Sequence, residues 1–272
     1  MGKGIYNERN IFKLTKKRVY FFDLDGTIYL GNNLFKGVPE LINILRNMQI
    51  AFYFLSNNSS LSTSAYLKKL NKFNLNITKE NLILSQHPTL DYLKKNNYKK
   101  IFLLGTKSLK EEFESEGFEL TEQDPQIIVL AFDKEFTYER LAKATQFLLK
   151  EDFPYIATHL DNRCPTENGY IPDAGGIAAL LYKAAERMPR VFGKPKKEML
   201  LFKLSQLGIS PKDAILFGDR LYTDIKMGKN AGITTCCVLS GETTLDMIKN
   251  SEDKPDFIID GIWELVNEFN KA

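Results

Sequence analysis

Short apolar runs recur along the whole chain, and they constrain its fold more than any other feature. Each run is three to six residues long, which is the length of a strand, and several contain no polar residue. Strands that are apolar throughout are typical of a parallel sheet that is covered on both faces. The runs are residues 19–22, 51–55, 81–84, 101–104, 127–131, 155–157, 214–217, 234–239 and 257–259.

Segments with apolar residues at helical spacing lie between these runs. Residues 38–48, for example, carry Leu41, Leu45 and Met48 on one predicted helix face. Alternating strands and helices predict the α/β fold class, in which ligands bind beyond the carboxyl ends of the strands. The other predicted helices are residues 137–150, 176–187, 196–207 and 221–230.

The composition limits the kinds of partner and the cellular compartment that we expect for this chain. Lys and Arg number 37 against 34 Asp and Glu, and this net charge of +3 does not indicate a nucleic-acid partner. Cys164, Cys236 and Cys237 form no CxxC pair, so we expect free thiols rather than a zinc site or a disulfide framework. No apolar leader or membrane-length apolar run is visible, so we expect a cytoplasmic protein without a membrane partner.

Two acids, Asp23 and Asp25, follow the first apolar run. Alternation along a strand places positions i and i+2 on the same side. Two neighbouring carboxylates repel each other unless a cation or a shared proton stabilises them. A Mg²⁺ site or an acid–base pair is therefore one interpretation. The alternative is a hairpin turn at Asp25-Gly26.

Three further groups of polar residues each follow or precede an apolar run. Ser56 and Asn57 suit an oxyanion such as phosphate, or else they cap a helix. Lys194, in a Gly-Lys-Pro turn, suits phosphate charge, or else it is a surface lysine. Asp219 would join Asp23 at a cation if the sheet is parallel, with Asp224 in support, or else Asp219 caps a helix. In this order the groups are the parts of a phosphoryl-transfer site.

With these four motifs the sequence resembles the haloacid dehalogenase superfamily. The motifs are Asp23-Leu-Asp25-Gly-Thr27, Ser56-Asn57, Lys194 within Gly-Lys-Pro, and Gly218-Asp219-Arg-Leu-Tyr-Thr-Asp224. The first two are 31 positions apart (56 − 25) and the next two are 138 apart (194 − 56), which leaves room for an inserted domain only in the second interval. This spacing is similar to the branch with a large α/β cap there, which includes 4-nitrophenyl, phosphoglycolate and pyridoxal phosphatases.

The resemblance implies a Rossmann-like parallel-sheet core with an inserted α/β cap domain. Turn signals near residues 86–88 and 188–189 place the boundaries. Residues 1–86 and 188–272 would form a discontinuous catalytic core, and residues 87–187 would form the cap. Caps in this branch commonly mediate a homodimer, so a homodimer through the cap is a further expectation.

The resemblance also implies roles for the motif residues. Asp23 would attack phosphorus and form an aspartyl-phosphate, and Asp25 would act as the acid and then the base. Mg²⁺ would be held by Asp23, the Asp25 carbonyl and Asp219, with Asp224 orienting bound waters. The phosphoryl group would be bound by Ser56, Asn57 and Lys194.

The substrate would be selected by a segment of the cap, residues 157–169, which resembles the family's specificity loop. Its candidate residues are His159, Asp161 and Arg163, and Arg163 or His159 would meet a substrate anion. The alternative is a solvent-exposed loop with an Asp–Arg surface pair.

The expected function is that of a Mg²⁺-dependent phosphatase acting on a small phosphorylated metabolite, such as a phosphoglycolate, sugar, nucleotide or aryl phosphate. Two alternatives stay open: a phosphotransferase or mutase on the same core, and a non-enzymatic module that binds a phosphometabolite.

Overall fold

The computed structural model describes residues 11–166 and 168–271, so Glu167 of the segment compared with the specificity loop lies outside the described part. The chain divides into two compact units. The first unit holds the described residues up to Ser56, together with Asn71–Ile83 and the residues from Lys194 onward. The second unit holds Asn57–Leu70 and Leu84–Gly193. The boundaries of a catalytic core and a cap at 86/87 and 187/188 stay a prediction.

The described strands and helices alternate along most of the chain. In chain order the strands are β1 (Val19–Asp23), β2 (Tyr29–Leu30), β3 (Asn33–Leu34), β4 (Ala51–Ser56), β5 (Leu82–Leu84), β6 (Lys100–Leu104), β7 (Glu119–Leu120), β8 (Ile127–Leu130), β9 (Tyr155–Ala157), β10 (Arg163–Thr166), β11 (Gly169–Pro172), β12 (Arg190–Val191), β13 (Ala214–Gly218), β14 (Thr234–Val238) and β15 (Phe257–Ile259). The helices are α1 (Val38–Asn47), α2 (Thr63–Asn71), α3 (Gln86–Lys95), α4 (Lys107–Ser115), α5 (Tyr138–Leu148), α6 (Ala174–Ala185), α7 (Glu198–Leu207), α8 (Lys226–Ala231), α9 (Leu245–Asn250) and α10 (Ile262–Phe269). Short 3₁₀ segments lie at Ile11–Lys16, Lys79–Asn81 and Pro211–Asp213, and a π-helical turn lies at Leu221–Ile225.

A six-stranded sheet forms the centre of the first unit, in the order β15-β14-β13-β1-β4-β5. The pairings from β15 through to β4 are parallel. Every residue of β1 is buried, and its alternate side chains enter opposite layers. Phe21 packs with Leu216 in one layer, whereas Phe22 stacks on Phe217 in the other with ring centroids 5.1 Å apart. Burial on both faces explains why several runs in this sheet contain no polar residue.

The second unit has its own five-stranded sheet, in the order β12-β9-β8-β6-β7, with parallel pairings throughout. Helix α4 covers one face, where Phe113 packs in a cluster with Leu103. Helices α5 and α6 cover the other face, where Leu141 and Ile177 share a cluster with residues of β6 and β8. A two-stranded antiparallel hairpin of β10 and β11 follows β9.

All nine apolar runs are strands, and the α/β prediction is confirmed. Two details differ from the sequence analysis. The turn expected near residues 86–88 is the start of α3, whose first turn accommodates Pro88 because no helical donor is needed there. The helix expected over 221–230 begins as the π-helical turn Leu221–Ile225 and continues as α8. No described helix has the length and apolarity needed to cross a membrane.

Candidate active site

The carboxyl edge of the first unit's sheet brings the predicted motifs together. β1 ends at Asp23, β4 ends at Ser56, and Asp219 follows the last residue of β13. The strands are parallel and in register, with Asp23 opposite Leu55 and Phe22 opposite Phe217. These ends therefore lie at one edge of the sheet, where ligands bind in open α/β sheets.

Three buried carboxylates meet at this edge. Asp23, Asp219 and Asp224 each offer an oxygen, and these oxygens lie within 4.8 Å of one another. Asp224 comes close because Gly218 has no side chain: a Cβ there would lie 2.3 Å from the Cβ of Asp224. We call these three residues the acid cluster.

Lys194 is buried against the acid cluster. Its Nζ donates a hydrogen bond to Asp23 Oδ1 and another, at 2.7 Å, to Asp224 Oδ1. Burial lowers the pKa of Lys194, but the charges of Asp224 and Asp23 raise it more, so the pKa lies above its ordinary value and the group stays protonated. The alternative of a surface lysine is wrong.

If all three acids were ionised, the cluster would carry more negative charge than Lys194 alone neutralises. Burial raises the pKa of Asp23 well above its ordinary value, and the charges of Asp224 and Asp219 add to this effect, while Lys194 opposes it. Burial and the charge of Asp224 raise the pKa of Asp219 to about 7. Without a further cation, ionising the whole cluster is therefore costly.

The loop after β14, residues 239–243, holds Asp219; we call it the β14 loop. The backbone N–H of Glu242 donates to Asp219 Oδ2 at 2.7 Å, and the N–H of Thr243 donates to the Asp219 carbonyl at 3.1 Å. A Cβ at Gly241 would lie 2.0 Å from Asp219 Oδ2. The N-cap of the π-helical turn Leu221–Ile225 is Arg220, so Asp219 does not cap it, and that alternative is wrong.

The donor set of this cluster fits a divalent cation. Asp219 Oδ1 is buried and has no hydrogen-bond partner among the described residues. An unpartnered buried carboxylate oxygen is costly unless a cation or a proton satisfies it. Hard cations such as Mg²⁺ prefer carboxylate oxygens as ligands.

Asp25 lies in a tight turn directly after β1. The Gly26 N–H donates to the Tyr29 carbonyl at 2.8 Å, and Gly26 has a φ of 90°, which favours glycine. The Tyr29 hydroxyl donates to Asp25 Oδ2 at 3.1 Å. The chain does turn at Asp25-Gly26, but the hairpin that follows pairs β2 with β3, beyond this turn.

Ser56 and Asn57 do not cap a helix, because α2 begins only at Thr63. That alternative is wrong. Ser56 is the buried last residue of β4. Asn57, in the second unit, donates from its side-chain amide to Asp161 Oδ1 at 3.0 Å.

The candidate residues of the cap segment differ in exposure. His159 is fully buried, with Nε2 2.9 Å from Asp173 Oδ1 and Nδ1 3.1 Å from the Thr158 hydroxyl. Arg163 is exposed at the start of β10, and its guanidinium lies 4.2 Å from the ring centre of Tyr170. Within the segment predicted as a loop, residues 163–166 form β10 and residue 169 begins β11, whereas residues 158–162 lie outside helices and strands.

The β14 loop and Arg220 lie at this site but were not predicted as parts of it from the sequence. Arg220 Nε lies 3.2 Å from Glu242 Oε2. The Ser240 hydroxyl donates to the Gly26 carbonyl at 2.7 Å. The sequence signal available was a Ser-Gly pair at the end of an apolar run, where a backbone can approach another group closely.

The free cysteines agree with the composition: Cys236 and Cys237 are buried, and Cys164 is half-buried. Burial raises the pKa of Cys237 to about 12, so its thiol stays protonated near neutral pH.

Comparison with known families matches two parts of the chain. The profile described as haloacid dehalogenase-like hydrolase matches residues 20–119, and one described as HAD-hydrolase-like matches residues 191–265. Together they contain every residue of the acid cluster.

Named relatives match over most of the chain. Phosphoglycolate phosphatase 1A of Arabidopsis thaliana is 31% identical, covering 91% of this chain and 76% of the relative. Acid sugar phosphatase of Staphylococcus haemolyticus is 28% identical, covering 93% of this chain and 96% of the relative. The crystal structure of 4-nitrophenylphosphatase from Thermotoga maritima superimposes with a TM-score of 0.89 at 38% identity, covering 95% of this chain and 99% of that one. The chain therefore belongs to the haloacid dehalogenase-like hydrolases, and within them to the phosphoric monoester hydrolases.

Proposed function

We propose that this chain is a Mg²⁺-dependent phosphatase that hydrolyses small phosphomonoesters, such as phosphoglycolate, sugar, nucleotide or aryl phosphates, through an aspartyl-phosphate. The observation that carries the proposal is the buried acid cluster with Lys194 at the carboxyl edge of a parallel sheet. The names of the relatives support the class of substrate.

In the first step, a carboxylate oxygen of Asp23 attacks phosphorus. An oxygen–phosphorus bond forms to Asp23 while the bond from phosphorus to the ester oxygen breaks. Asp25 gives its proton to the leaving ester oxygen, which departs as an alcohol. The Tyr29 hydroxyl holds the Asp25 carboxyl group during this transfer.

In the second step, Asp25, now a carboxylate, takes a proton from water. The water oxygen attacks phosphorus, and the bond between phosphorus and Asp23 breaks. Inorganic phosphate leaves, Asp23 is again a carboxylate, and Asp25 again carries its proton.

The remaining motif residues bind the charged oxygens of the phosphoryl group or the metal ion. Lys194 and the polar groups of Ser56 and Asn57 bind the oxygens of the phosphoryl group. Mg²⁺ would be held by Asp23, the Asp25 carbonyl and Asp219, with Asp224 orienting bound waters. When bound, the ion offsets negative charge on the phosphoryl oxygens.

We further propose that the cap segment selects the substrate. The exposed residue Arg163 meets an anionic group of the substrate, while the buried His159 and the Asn57–Asp161 hydrogen bond hold the segment in place. Replacing Arg163 by Ala is expected to raise KM for acidic phosphate esters more than for a neutral aryl phosphate. A homodimer through the cap stays a prediction.

Replacement of Asp23 by Asn tests the mechanism. We expect hydrolysis of 4-nitrophenyl phosphate to fall by about 10³-fold or more, because an amide is a poor nucleophile. The exposed Asp246 offers a matched control, since Asp246→Asn changes an acid outside the cluster. Circular dichroism checks folding, and full activity in Asp23→Asn would refute the mechanism.

The product distribution separates hydrolysis from phosphotransfer. A phosphatase releases one inorganic phosphate for each alcohol formed, even with an excess of acceptor alcohols. A phosphotransferase or mutase would instead yield phosphorylated acceptor. A module that binds phosphometabolites without turnover would release neither product.

A further inference from the structure

The β14 loop contacts two parts of the candidate site at once. Its Ser240 hydroxyl donates a hydrogen bond to the Gly26 carbonyl at 2.7 Å, and the backbone N–H of Glu242 donates to Asp219 Oδ2 at 2.7 Å. Gly26 and Asp219 are 193 positions apart in the chain (219 − 26) and follow the neighbouring strands β1 and β13. The phosphatase mechanism proposed above uses neither Ser240 nor Gly26.

The turn after β1 is held by hydrogen bonds on two consecutive peptide groups. The Asp25 carbonyl shares a planar peptide group with the Gly26 N–H, which donates to the Tyr29 carbonyl at 2.8 Å within the turn. The next carbonyl, that of Gly26, accepts the Ser240 hydroxyl. The bond from Ser240 therefore joins the turn that carries Asp25 to a distant segment of the chain.

The turn and the β14 loop both pack against Asp219. A Cβ at Gly26 would lie 2.3 Å from Asp219 Oδ2, and a Cβ at Gly241 would lie 2.0 Å from the same oxygen. A shift of the turn relative to the loop would therefore move the Asp25 carbonyl relative to the Asp219 carboxylate. Ser240 is half-buried, so its hydrogen bond is partly shielded from water.

We propose that Ser240 is a positioning residue whose hydroxyl fixes the Asp25–Gly26 turn relative to Asp219. The inference rests on the proposed function for the roles of the Asp25 carbonyl and the Asp219 carboxylate as ligands of Mg²⁺. Metal ligands depend on the hydrogen bonds that orient them, and an acid–base group is equally sensitive to small displacements. Loss of the hydroxyl should therefore weaken Mg²⁺ binding and slow turnover.

The first test is calorimetric titration of the full-length, metal-free protein with Mg²⁺ in the absence of substrate. For Ser240→Ala we expect the dissociation constant to rise by about tenfold or more, as is usual when a group that supports a metal ligand is lost. For Ser240→Thr we expect a constant within about threefold of the wild-type value, because threonine keeps the donating hydroxyl. A role in packing alone does not predict this rescue.

Tyr20 supplies a matched control in the same unit. Its hydroxyl donates to the Leu14 carbonyl at 2.6 Å, and it lies near the start of β1, away from the carboxyl edge. Tyr20→Phe thus removes a comparable bond from a hydroxyl to a backbone carbonyl. We expect it to lower the melting temperature and to leave the Mg²⁺ dissociation constant unchanged.

The second test is hydrolysis of 4-nitrophenyl phosphate at saturating Mg²⁺. For Ser240→Ala we expect kcat to fall by about tenfold, because the Asp25 turn is less well placed for proton transfer. We expect KM to stay within about twofold of the wild-type value, since the groups proposed to bind the phosphoryl oxygens are unchanged. Ser240→Thr should restore kcat.

Three results would overturn the inference: wild-type Mg²⁺ affinity in Ser240→Ala, no rescue by Ser240→Thr, or an equal loss of affinity in Tyr20→Phe. If Ser240→Ala does not fold, Ser240→Cys decides, because a thiol is a weak donor and should also weaken binding, whereas wild-type affinity in that variant would refute the idea. A wild-type protein that binds Mg²⁺ but hydrolyses no phosphate ester would refute the proposed function, and the titration would still test Ser240.

Discussion

At the scale of single residues, the acid cluster depends on glycines that let backbone approach carboxylates. A Cβ at Gly26 would lie 2.3 Å from Asp219 Oδ2, and one at Gly241 would lie 2.0 Å from the same oxygen. Such distances are too short for any side chain, so Asp219 can occupy its place only beside these glycines.

Replacing Gly26 by Ala adds a Cβ that crowds Asp219 and also strains the backbone. A second glycine variant that only strains the backbone distinguishes the two effects. Gly117 is the matched control, because it has a φ of 88° against 90° at Gly26, but no atom lies within 4 Å of the position that a Cβ would take. Both variants should lose about 1–2 kcal/mol from the left-handed backbone, measured by urea unfolding.

Only Gly26→Ala should also displace Asp219 and weaken Mg²⁺ binding by about tenfold or more, measured by calorimetry. Equal Mg²⁺ affinity in the two variants would show that the contact with Asp219 is unimportant.

Asp23 and Asp219 were predictable from the sequence as neighbours, because each follows an apolar run and the ends of parallel strands share one edge of a sheet. The structure brings Asp23, Asp219, Asp224 and Lys194 together as expected. The contacts of Glu242 with Arg220 were not predictable, since they join segments that meet only after folding and leave no periodic signal in either. The functional roles of these residues stay predictions.

At the scale of elements, the burial of a strand determines whether an apolar run in the sequence predicts it. The inner strands of both large sheets are buried and mostly apolar, and every strand that the runs predicted is present. The edge strands β7 and β12 carry Glu119 and Arg190, and no apolar run predicted them. The hairpin of β10 and β11 was missed because its described side chains are exposed or half-buried and follow no apolar pattern. Helix α3 was missed because Gln86-His-Pro88 resembles a turn, although proline is tolerated in a first helical turn.

The N-cap residue of helix α6, Asp173, makes two different side-chain contacts. Asp173 accepts the N–H of Ala174 as the N-cap, and the same Oδ1 lies 2.9 Å from His159 Nε2. Asp173→Ala should therefore cost about 2–4 kcal/mol, because a cap is lost and a buried imidazole N–H loses its acceptor.

The N-cap of α5 provides the comparison. Thr137 accepts the N–H of Arg140 and is exposed, so Thr137→Ala should cost only about 1 kcal/mol in urea unfolding. Equal losses in the two variants would mean that the contact with His159 adds nothing to the stability of α6.

At the scale of the whole molecule, each unit has its own parallel sheet and its own buried clusters. The acid cluster belongs entirely to the first unit. A cation that binds only the folded cluster stabilises that unit by mass action, by about 2.7 kcal/mol at a concentration 100-fold above its dissociation constant.

Hydrogen exchange should show which strands gain stability when the cation binds. On addition of Mg²⁺, we expect amides of β1, β13 and the β14 loop to exchange more slowly, and those of β6 and β8 to change little. Removal of Mg²⁺ with a chelator should reverse the effect, and Asp219→Asn should abolish it. A uniform gain across both units would contradict this prediction and indicate a single cooperative unit.

The strand order of the first sheet has a consequence for synthesis on the ribosome. The central strand β1 pairs with β4 soon after it emerges, but its other neighbour, β13, begins only at Ala214. The strands of the second sheet, from Lys100 to Val191, are all translated before then. We therefore expect the nascent chain to complete its second sheet first, while one edge of the buried strand β1 still lacks its partner β13. During this interval the unpaired strand edge is open to aggregation.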